Sequence, residues 1–171
     1  MGGYNRSAFN EVAATHGDSI YRLCKAYMGH SEEVDDLYQE ALINIWKALP
    51  KFRGEAKLST WIYRVTVNTA LSFRRKVARE ESVRANQWNP EYLVDDLADK
   101  QEKIERENQF ERLLECIEEL KPDHRILIGL YLENLSYKEI AEVIGKTTNY
   151  VGVNIGRIKE RLTKLMVHER T

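Results

Sequence analysis

Arg64, Asn68 and Arg75 recur at helical spacing, with Arg74 beside them, so one turn-by-turn face of a helix carries guanidinium and amide donors. Donors in that pattern bind a polyanion; nothing in it is a nucleophile paired with a base. Arg53 and Lys57 add charge in the preceding stretch "FRGEAK", a basic, glycine-containing segment that reads as an exposed, mobile loop. A second donor set lies in "LSYKEIAEVIGKTTNYVGVNIGRIKERL". There Ser136 and Glu139 have capping-box spacing, Gly145 suits a left-handed helix end, and Thr147 suits the start of another helix. Val151, Ile155, Ile158, Leu162 and Leu165 then form an apolar stripe. Two short helices about a tight turn make a helix-turn-helix, whose second helix enters the major groove N-terminus first. That places Thr148, Asn149, Gly152 and Val153 at the groove, with Arg157, Lys159, Arg161 and Lys164 behind them. The bland reading of the same stretch is a plain helical hairpin.

Other chemistries lack their residues. Cys24 and Cys116 have apolar neighbours and read as reduced core residues, and the four histidines show no ligand spacing with them. No Gly-rich phosphate loop, Ser-His-Asp set or paired-carboxylate site appears, so no enzyme and no cofactor is expected. No signal peptide and no apolar run of membrane-spanning length is evident, which suggests a cytoplasmic protein.

The elements that must position these donors are helical throughout. Three prolines and nine glycines in 171 residues leave little punctuation for strands. The periodicity predicts helices at about 7–28, 31–48, 59–78, 106–120, 123–133, 137–144 and 148–167. The fold class expected is all-α: a helical domain over 1–80, a flexible acidic linker over 81–105, and a second helical domain over 106–171. In the second helix, Ser31 reads as the N-cap and Val34, Tyr38, Ala41, Ile45 and Trp46 as the buried side. Asp35, Asp36, Gln39, Glu40 and Ile43 form its other side, an acidic edge suited to solvent or to docking on a basic protein. In the third, Ser59 reads as the cap, and Trp61, Ile62, Val65 and Phe73 as core.

Charge alternates along the chain although the net is only −1. Residues 1–44 carry −4, residues 45–79 carry +8, residues 80–120 carry −8 and residues 121–171 carry +3. Two basic blocks separated by an acidic one suit two contacts with one polyanion.

"DDLYQEALINIWKAL", then "FRGEAKLSTWIYRVTVNTALSFRRK", then the helix-turn-helix about 50 residues on, resemble the extracytoplasmic-function (ECF) sigma factors of bacteria. The likeness runs from about Phe9 to Leu165. It implies regions 2 and 4 of a sigma factor that binds core RNA polymerase and directs promoter-specific initiation. Asp35, Asp36, Gln39, Glu40 and Ile43 match the part that grips the beta-prime clamp helices. Arg53 and Lys57 fall in the loop that captures a flipped −10 base, and Arg64, Asn68, Arg74 and Arg75 match the part that meets the adjoining DNA. Thr147, Thr148, Asn149, Tyr150, Gly152, Val153, Arg157 and Lys159 match the −35 reader, in a domain that also meets the beta flap. The resemblance further implies an anti-sigma factor and no small-molecule substrate. At Gly152, Asn154 and Gly156 the commoner family pattern has basic or polar residues, a departure at the −35 face. The alternatives are a stand-alone helix-turn-helix regulator, or a polymerase-binding module without initiation activity.

Overall fold

The computed structural model describes residues 2–84 and 101–168. Seven α-helices occur among them, with no strand: α1 (Gly2–Met28), α2 (Val34–Ala48), α3 (Leu58–Arg84), α4 (Gln101–Glu118), α5 (Pro122–Leu132), α6 (Tyr137–Ile144) and α7 (Thr148–His168). A 3-10 turn, Leu49–Lys51, follows α2. The first three helices, the N-terminal unit, and the last four, the C-terminal unit, pack around one continuous buried core. The expected linker is shorter than its predicted span. Nothing between Ala78 and Arg84 is a glycine or proline, so α3 runs on to Arg84, and α4 has already begun at Gln101. The rest of the predicted linker, 85–100, lies outside the described residues.

In the N-terminal unit, apolar side chains at steps of three and four meet at one axis. Ile20, Leu23, Cys24 and Tyr27 of α1, Leu37, Ala41 and Ile45 of α2, and Ile62, Ala70 and Phe73 of α3 are all buried. Two threonines inside that core are satisfied by their own helix: Thr66 donates to the Ile62 carbonyl and Thr69 to that of Val65. Asn44 Nδ2 then donates to Thr69 Oγ1 at 3.1 Å, tying α2 to α3. Three expectations fail here. Ser31 is not the cap of α2, which starts at Val34 behind Glu33; Ser31 Oγ instead accepts from the Glu33 amide in the turn before it. Trp46 is 47% exposed, because the buried stripe is Val34, Leu37, Ala41 and Ile45, and Trp46 lies about 100° around the helix from Ile45. Ser59 likewise sits inside the first turn of α3, which begins at Leu58.

The C-terminal unit is organised around α5. Pro122 starts it at a position where the missing N–H is not needed, and Ile126, Leu127, Ile128, Gly129 and Leu130 are buried consecutively. A helix apolar all round must be covered all round. One side of α5 faces α6 and α7; the other packs on α1 of the N-terminal unit. Gly129 makes that approach possible, since a Cβ there would stand 2.8 Å from Leu23 Cδ1 and 3.3 Å from Ala26 Cβ.

The helix-turn-helix forms as its local chemistry dictates. Ser136 Oγ accepts from the Glu139 amide and the Glu139 carboxylate accepts from the Ser136 amide, a complete capping box. Gly145 ends α6 at φ 66°, and Thr147 Oγ1 accepts from the Tyr150 amide to cap α7. Val151, Ile155, Ile158 and Leu162 are buried as one stripe. Gly156 lies on the opposite, open side, where an added Cβ meets nothing within 4 Å. Gly156→Ala is therefore expected to stabilise the chain by about 1 kcal/mol, raising Tm by roughly 2–4 °C in a thermal melt. A lower Tm would show that the bare backbone at this position packs against something.

A polar seam borders the α1–α5 contact. Arg22 binds Glu133 through two hydrogen bonds of 2.6 and 2.8 Å, and Lys25 pairs with Glu111 at 3.1 Å. Arg125 donates to the Tyr27 carbonyl at 3.2 Å and to the Glu118 and Leu120 carbonyls, joining the ends of α1 and α4. Gly29, at φ 71°, ends α1, and the next residue, His30, places its ring between Glu118 and Glu111, 2.6 and 3.3 Å away. The Glu118 hydrogen bond is the main reason that the His30 pKa is raised above 6.5. Partial burial opposes that shift, and Glu111 adds to it. A raised histidine pKa stabilises the fold fully below the unfolded value and loses that contribution as pH rises through the folded value. The chain is therefore expected to lose Tm from about pH 6.5 upward relative to His30→Gln, which should lack that component. Parallel pH profiles for the two proteins would contradict the assignment.

Candidate nucleic-acid and polymerase interface

The acidic edge of α2 lies where the periodicity puts it. Asp35, Asp36 and Gln39 are exposed, Glu40 is half-buried and Ile43 is 49% exposed. Asp35 and Asp36 also sit in the first turn of α2, where negative charge complements the helix dipole. The structure adds apolar residues that the pattern misassigned or passed over. Phe9 from α1, with Leu42 and Trp46, lines a trough alongside Gln39 and Ile43. Leu37 was the missing signal: anchoring the buried stripe on it turns Trp46 outward. The result is an apolar trough whose lining also includes Arg6 and Asn10 of α1, beside the helix that carries the exposed carboxylates of Asp35 and Asp36.

The basic residues of the loop and of α3 do not form one open face. Arg53 is exposed, next to Gly54 at φ 72°. Phe52 turns inward instead, its ring 5.2 Å from that of Trp61, so Trp61 is half-buried as a packing residue. Lys57 Nζ lies 2.8 Å from Glu139 Oε1, and Arg64 Nη2 donates to the Glu142 carbonyl at 2.7 Å. Asn68 borders a hollow closed by Ile126, Val143, Ile144 and Tyr150 of the C-terminal unit. Arg74 stands 6.0 Å over the Tyr27 ring, and Arg75 Nε donates to the Leu71 carbonyl within its own helix. Lys57, Arg64 and Asn68 thus share one seam, while Arg53, Arg74 and Arg75 lie apart from it.

The Lys57–Glu139 pair illustrates how local and distant chemistry combine. Lys57 and the two Ser136 hydrogen bonds hold the Glu139 carboxyl down at about 2. Capping α6 therefore also fixes an anionic oxygen in front of Lys57.

The start of α7 is open. Thr147, Thr148, Asn149, Tyr150, Val153 and Arg157 are exposed, and Gly152 is half-buried against the Tyr137 ring, 3.5 Å from an added Cβ. Neither Gly152 nor Gly156 is demanded by a backbone angle or a close neighbour. Lys146 lies 5.9 Å over the Tyr150 ring. Lys159 is turned away from the row: its Nζ donates to Tyr131 OH at 2.6 Å and stands 4.0 Å over that ring. Of the second donor set, Lys159 turns to Tyr131, and Arg161 Nη2 lies 3.5 Å from the Glu119 carbonyl oxygen to which it donates.

The other chemistries stay unsupported. Cys24 and Cys116 are buried, and burial pushes Cys24 up to about 12, far from a reactive thiolate. Among the described residues no cluster of potential metal ligands occurs, and no helix is long and apolar enough to cross a membrane.

Known proteins resemble the chain over both units. Residues 12–80 match the family described as Sigma-70 region 2, and residues 110–162 match Sigma-70, region 4. The ECF RNA polymerase sigma-E factor of Escherichia coli K12 is 28% identical over 165 residues, covering 92% of this chain and 86% of that protein. The RNA polymerase sigma-H factor of Pseudomonas aeruginosa is 27% identical over 169 residues, covering 95% and 88%. Among solved structures, the sigma factor RpoE of Bartonella quintana, in complex with the anti-sigma factor NepR, aligns with a TM-score of 0.75 at 18% identity, covering 93% of this chain and 96% of that one. CnrH, in complex with the cytosolic domain of CnrY, aligns with a TM-score of 0.65 at 22% identity, covering 95% and 90%. An exposed helix-turn-helix row, a basic α3, an α2 with exposed carboxylates and these matches converge: the chain belongs to the ECF sigma factors, alternative sigma factors that direct transcription initiation by RNA polymerase.

Proposed function

We propose that the chain docks on core polymerase through α2 and reads a promoter at two points. The observation that carries this is the separation of the two chemistries on the N-terminal unit. The apolar trough beside α2, lined by Phe9, Gln39, Leu42, Ile43 and Trp46, shares no residue with the set Lys57, Arg64 and Asn68, which faces α6. One surface can hold the enzyme while the other holds DNA. Asp35, Asp36, Gln39, Glu40 and Ile43, together with Phe9, Leu42 and Trp46, would hold the beta-prime clamp helices. The C-terminal unit would meet the beta flap.

At the −10 element, Lys57, Arg64, Asn68, Arg74 and Arg75 would bind the phosphates and edges of melted DNA, with Arg53 in the loop beside the extruded base. Extrusion costs a few kcal/mol, and a pocket that binds the base offsets it. At the −35 element, Thr147, Thr148, Asn149, Tyr150, Gly152 and Val153 would face the major groove and Arg157 a phosphate, while Lys159 must leave Tyr131 to join them. Phosphate contacts position the protein and base-edge contacts specify the site. The chain supplies no catalytic group; polymerase performs the chemistry, in the cytoplasm. One aligned structure is a sigma factor in complex with an anti-sigma factor, and that supports control of this chain by an anti-sigma factor.

Transcription in vitro, with core polymerase and promoters from the same genome, tests the whole reading. Promoter-specific transcripts are expected only when the chain is added. Polymerase binding without transcripts would favour a non-initiating module, and tight promoter binding without polymerase a stand-alone regulator. Asp36→Lys with Glu40→Lys is expected to weaken core binding at least about tenfold, by setting like charge against a basic partner, with helicity unchanged. Unchanged affinity in a titration would remove this edge from the interface.

The two DNA surfaces are separable. Arg157→Ala is expected to weaken −35 duplex binding and to flatten its salt dependence by about one counterion. Arg64→Ala with Asn68→Ala is expected to impair open-complex formation, read by permanganate footprinting of the −10 region, and to spare −35 binding. Both variants altering the same element would overturn the division.

A further inference from the structure

The first turns of α7 carry few side chains able to tell one base pair from another. At about 100° per residue, Asn149 and Val153 stand one turn apart on the line opposite the buried stripe of Val151, Ile155, Ile158 and Leu162. Both are exposed, Val153 at 45%. Gly152 and Gly156 flank that line on one side and add no side chain to it. Asn154 is engaged within the helix, its Nδ2 donating to the Tyr150 carbonyl at 2.8 Å. Thr148 offers a hydroxyl, which pairs with several bases and separates none. Lys146, just before the helix, lies over the Tyr150 ring. From Thr147 to Gly156 no residue is an arginine or a lysine, and Arg157 stands about 13 Å along the helix from Thr148. A cation on guanine, the commonest base-specific contact, is thus missing from the turns that enter the groove first. What those turns present outward is one amide and one isopropyl group.

We infer that this −35 reader is specific for adenine and thymine: Asn149 pairs with the N6 and N7 edge of an adenine, and Val153 packs on the C5-methyl group of a thymine. The inference rests on the assignment of α7 to the −35 element. An asparagine amide donates to N7 and accepts from the N6 amino group, a pairing that guanine, with O6 in that place, cannot complete. Valine has no side-chain donor or acceptor. Against cytosine it would leave the N4 amino group unpaired, whereas against thymine it buries a methyl group. Four residues of helix rise about 6 Å, which keeps the two bases within about two base-pair steps. Asparagine and valine are short, so the backbone of α7 must lie close to the base edges. Gly152 and Gly156 allow that approach, and an added Cβ at Gly156 meets nothing within 4 Å in the chain itself. Glu160, exposed two turns beyond Val153 on the same line, is repelled by phosphates and so confines the close approach to the first turns.

Selection by the intact holoenzyme tests this. Core polymerase carrying the full chain is given promoter duplexes with a fixed −10 element that it transcribes and a randomised −35 region, and the bound duplexes are sequenced. The selected element is expected to specify an adenine and a thymine within that spacing. Base analogues then probe single groups. 7-Deazaadenine at the adenine, which lacks N7, is expected to weaken binding at least about fivefold. Uracil at the thymine, which lacks the methyl group, is expected to weaken it about fourfold. Asn149→Ala should abolish the first loss and keep the second, and Val153→Ala should do the reverse. Both positions are exposed and alanine favours the helix, so circular dichroism should be unchanged. Gly156→Leu should weaken binding to the selected element without lowering Tm.

A selected element of guanine and cytosine alone, or analogue losses that survive both alanine variants, overturns the assignment of Asn149 and Val153. Unchanged binding by Gly156→Leu overturns the close approach. No enrichment in the −35 region, with transcription still directed by the −10 element, removes the −35 reading beneath the inference.

Discussion

The contact between α1 and α5 is the constraint on which the arrangement of the chain depends. Five consecutive buried residues make α5 apolar around its circumference, so it cannot face solvent on any side. The C-terminal unit covers one side only, and α1 covers the other because Gly129 lets Leu23 and Ala26 come within van der Waals distance. Once these helices meet, the α3–α6 contact follows, and with it the pairing of Lys57 and Arg64. A surface assigned to promoter DNA is thus controlled by a packing contact that contains no DNA-binding residue.

Charge works across this contact rather than along the chain. The cations at the seam, Arg22, Lys25, His30, Lys57 and Arg64, come from the N-terminal unit, and Glu111, Glu118, Glu133 and Glu139 come from the C-terminal one. Exposed pairs of this kind contribute about 0–1 kcal/mol each, so they fix orientation more than they supply stability. The stability of the contact comes instead from its apolar part, since residues of α1, α3, α5 and α6 belong to one continuous buried core.

Local chemistry was legible in the sequence and distant chemistry was not. Ser136, Glu139, Gly145 and Thr147 act within four residues of themselves, and the structure places every one as the spacing predicts. The stripe from Val151 to Leu162 is equally local. Trp46 was misplaced because two overlapping stripes fit α2, and only packing against α1 and α3 selects the one through Leu37. Ser31 has the right side chain for a cap, but the chain turns for two more residues before the helix starts. No periodicity reports that Glu139 meets Lys57 across 82 positions, or that Lys159 turns to Tyr131. Charge blocks marked the basic segments but could not say which acidic residues they meet.

The proposed function requires that α3, packed on α6 in the free chain, exchange that contact for promoter DNA when polymerase initiates. A pair of spin labels, one at Ser72 on the exposed side of α3 and one at Lys138 on α6, measures that exchange by pulsed electron resonance. The account predicts a single short distance in the free chain and a clearly longer one in the complex with core polymerase and melted promoter. The same short distance in both states, with transcription intact, would contradict it.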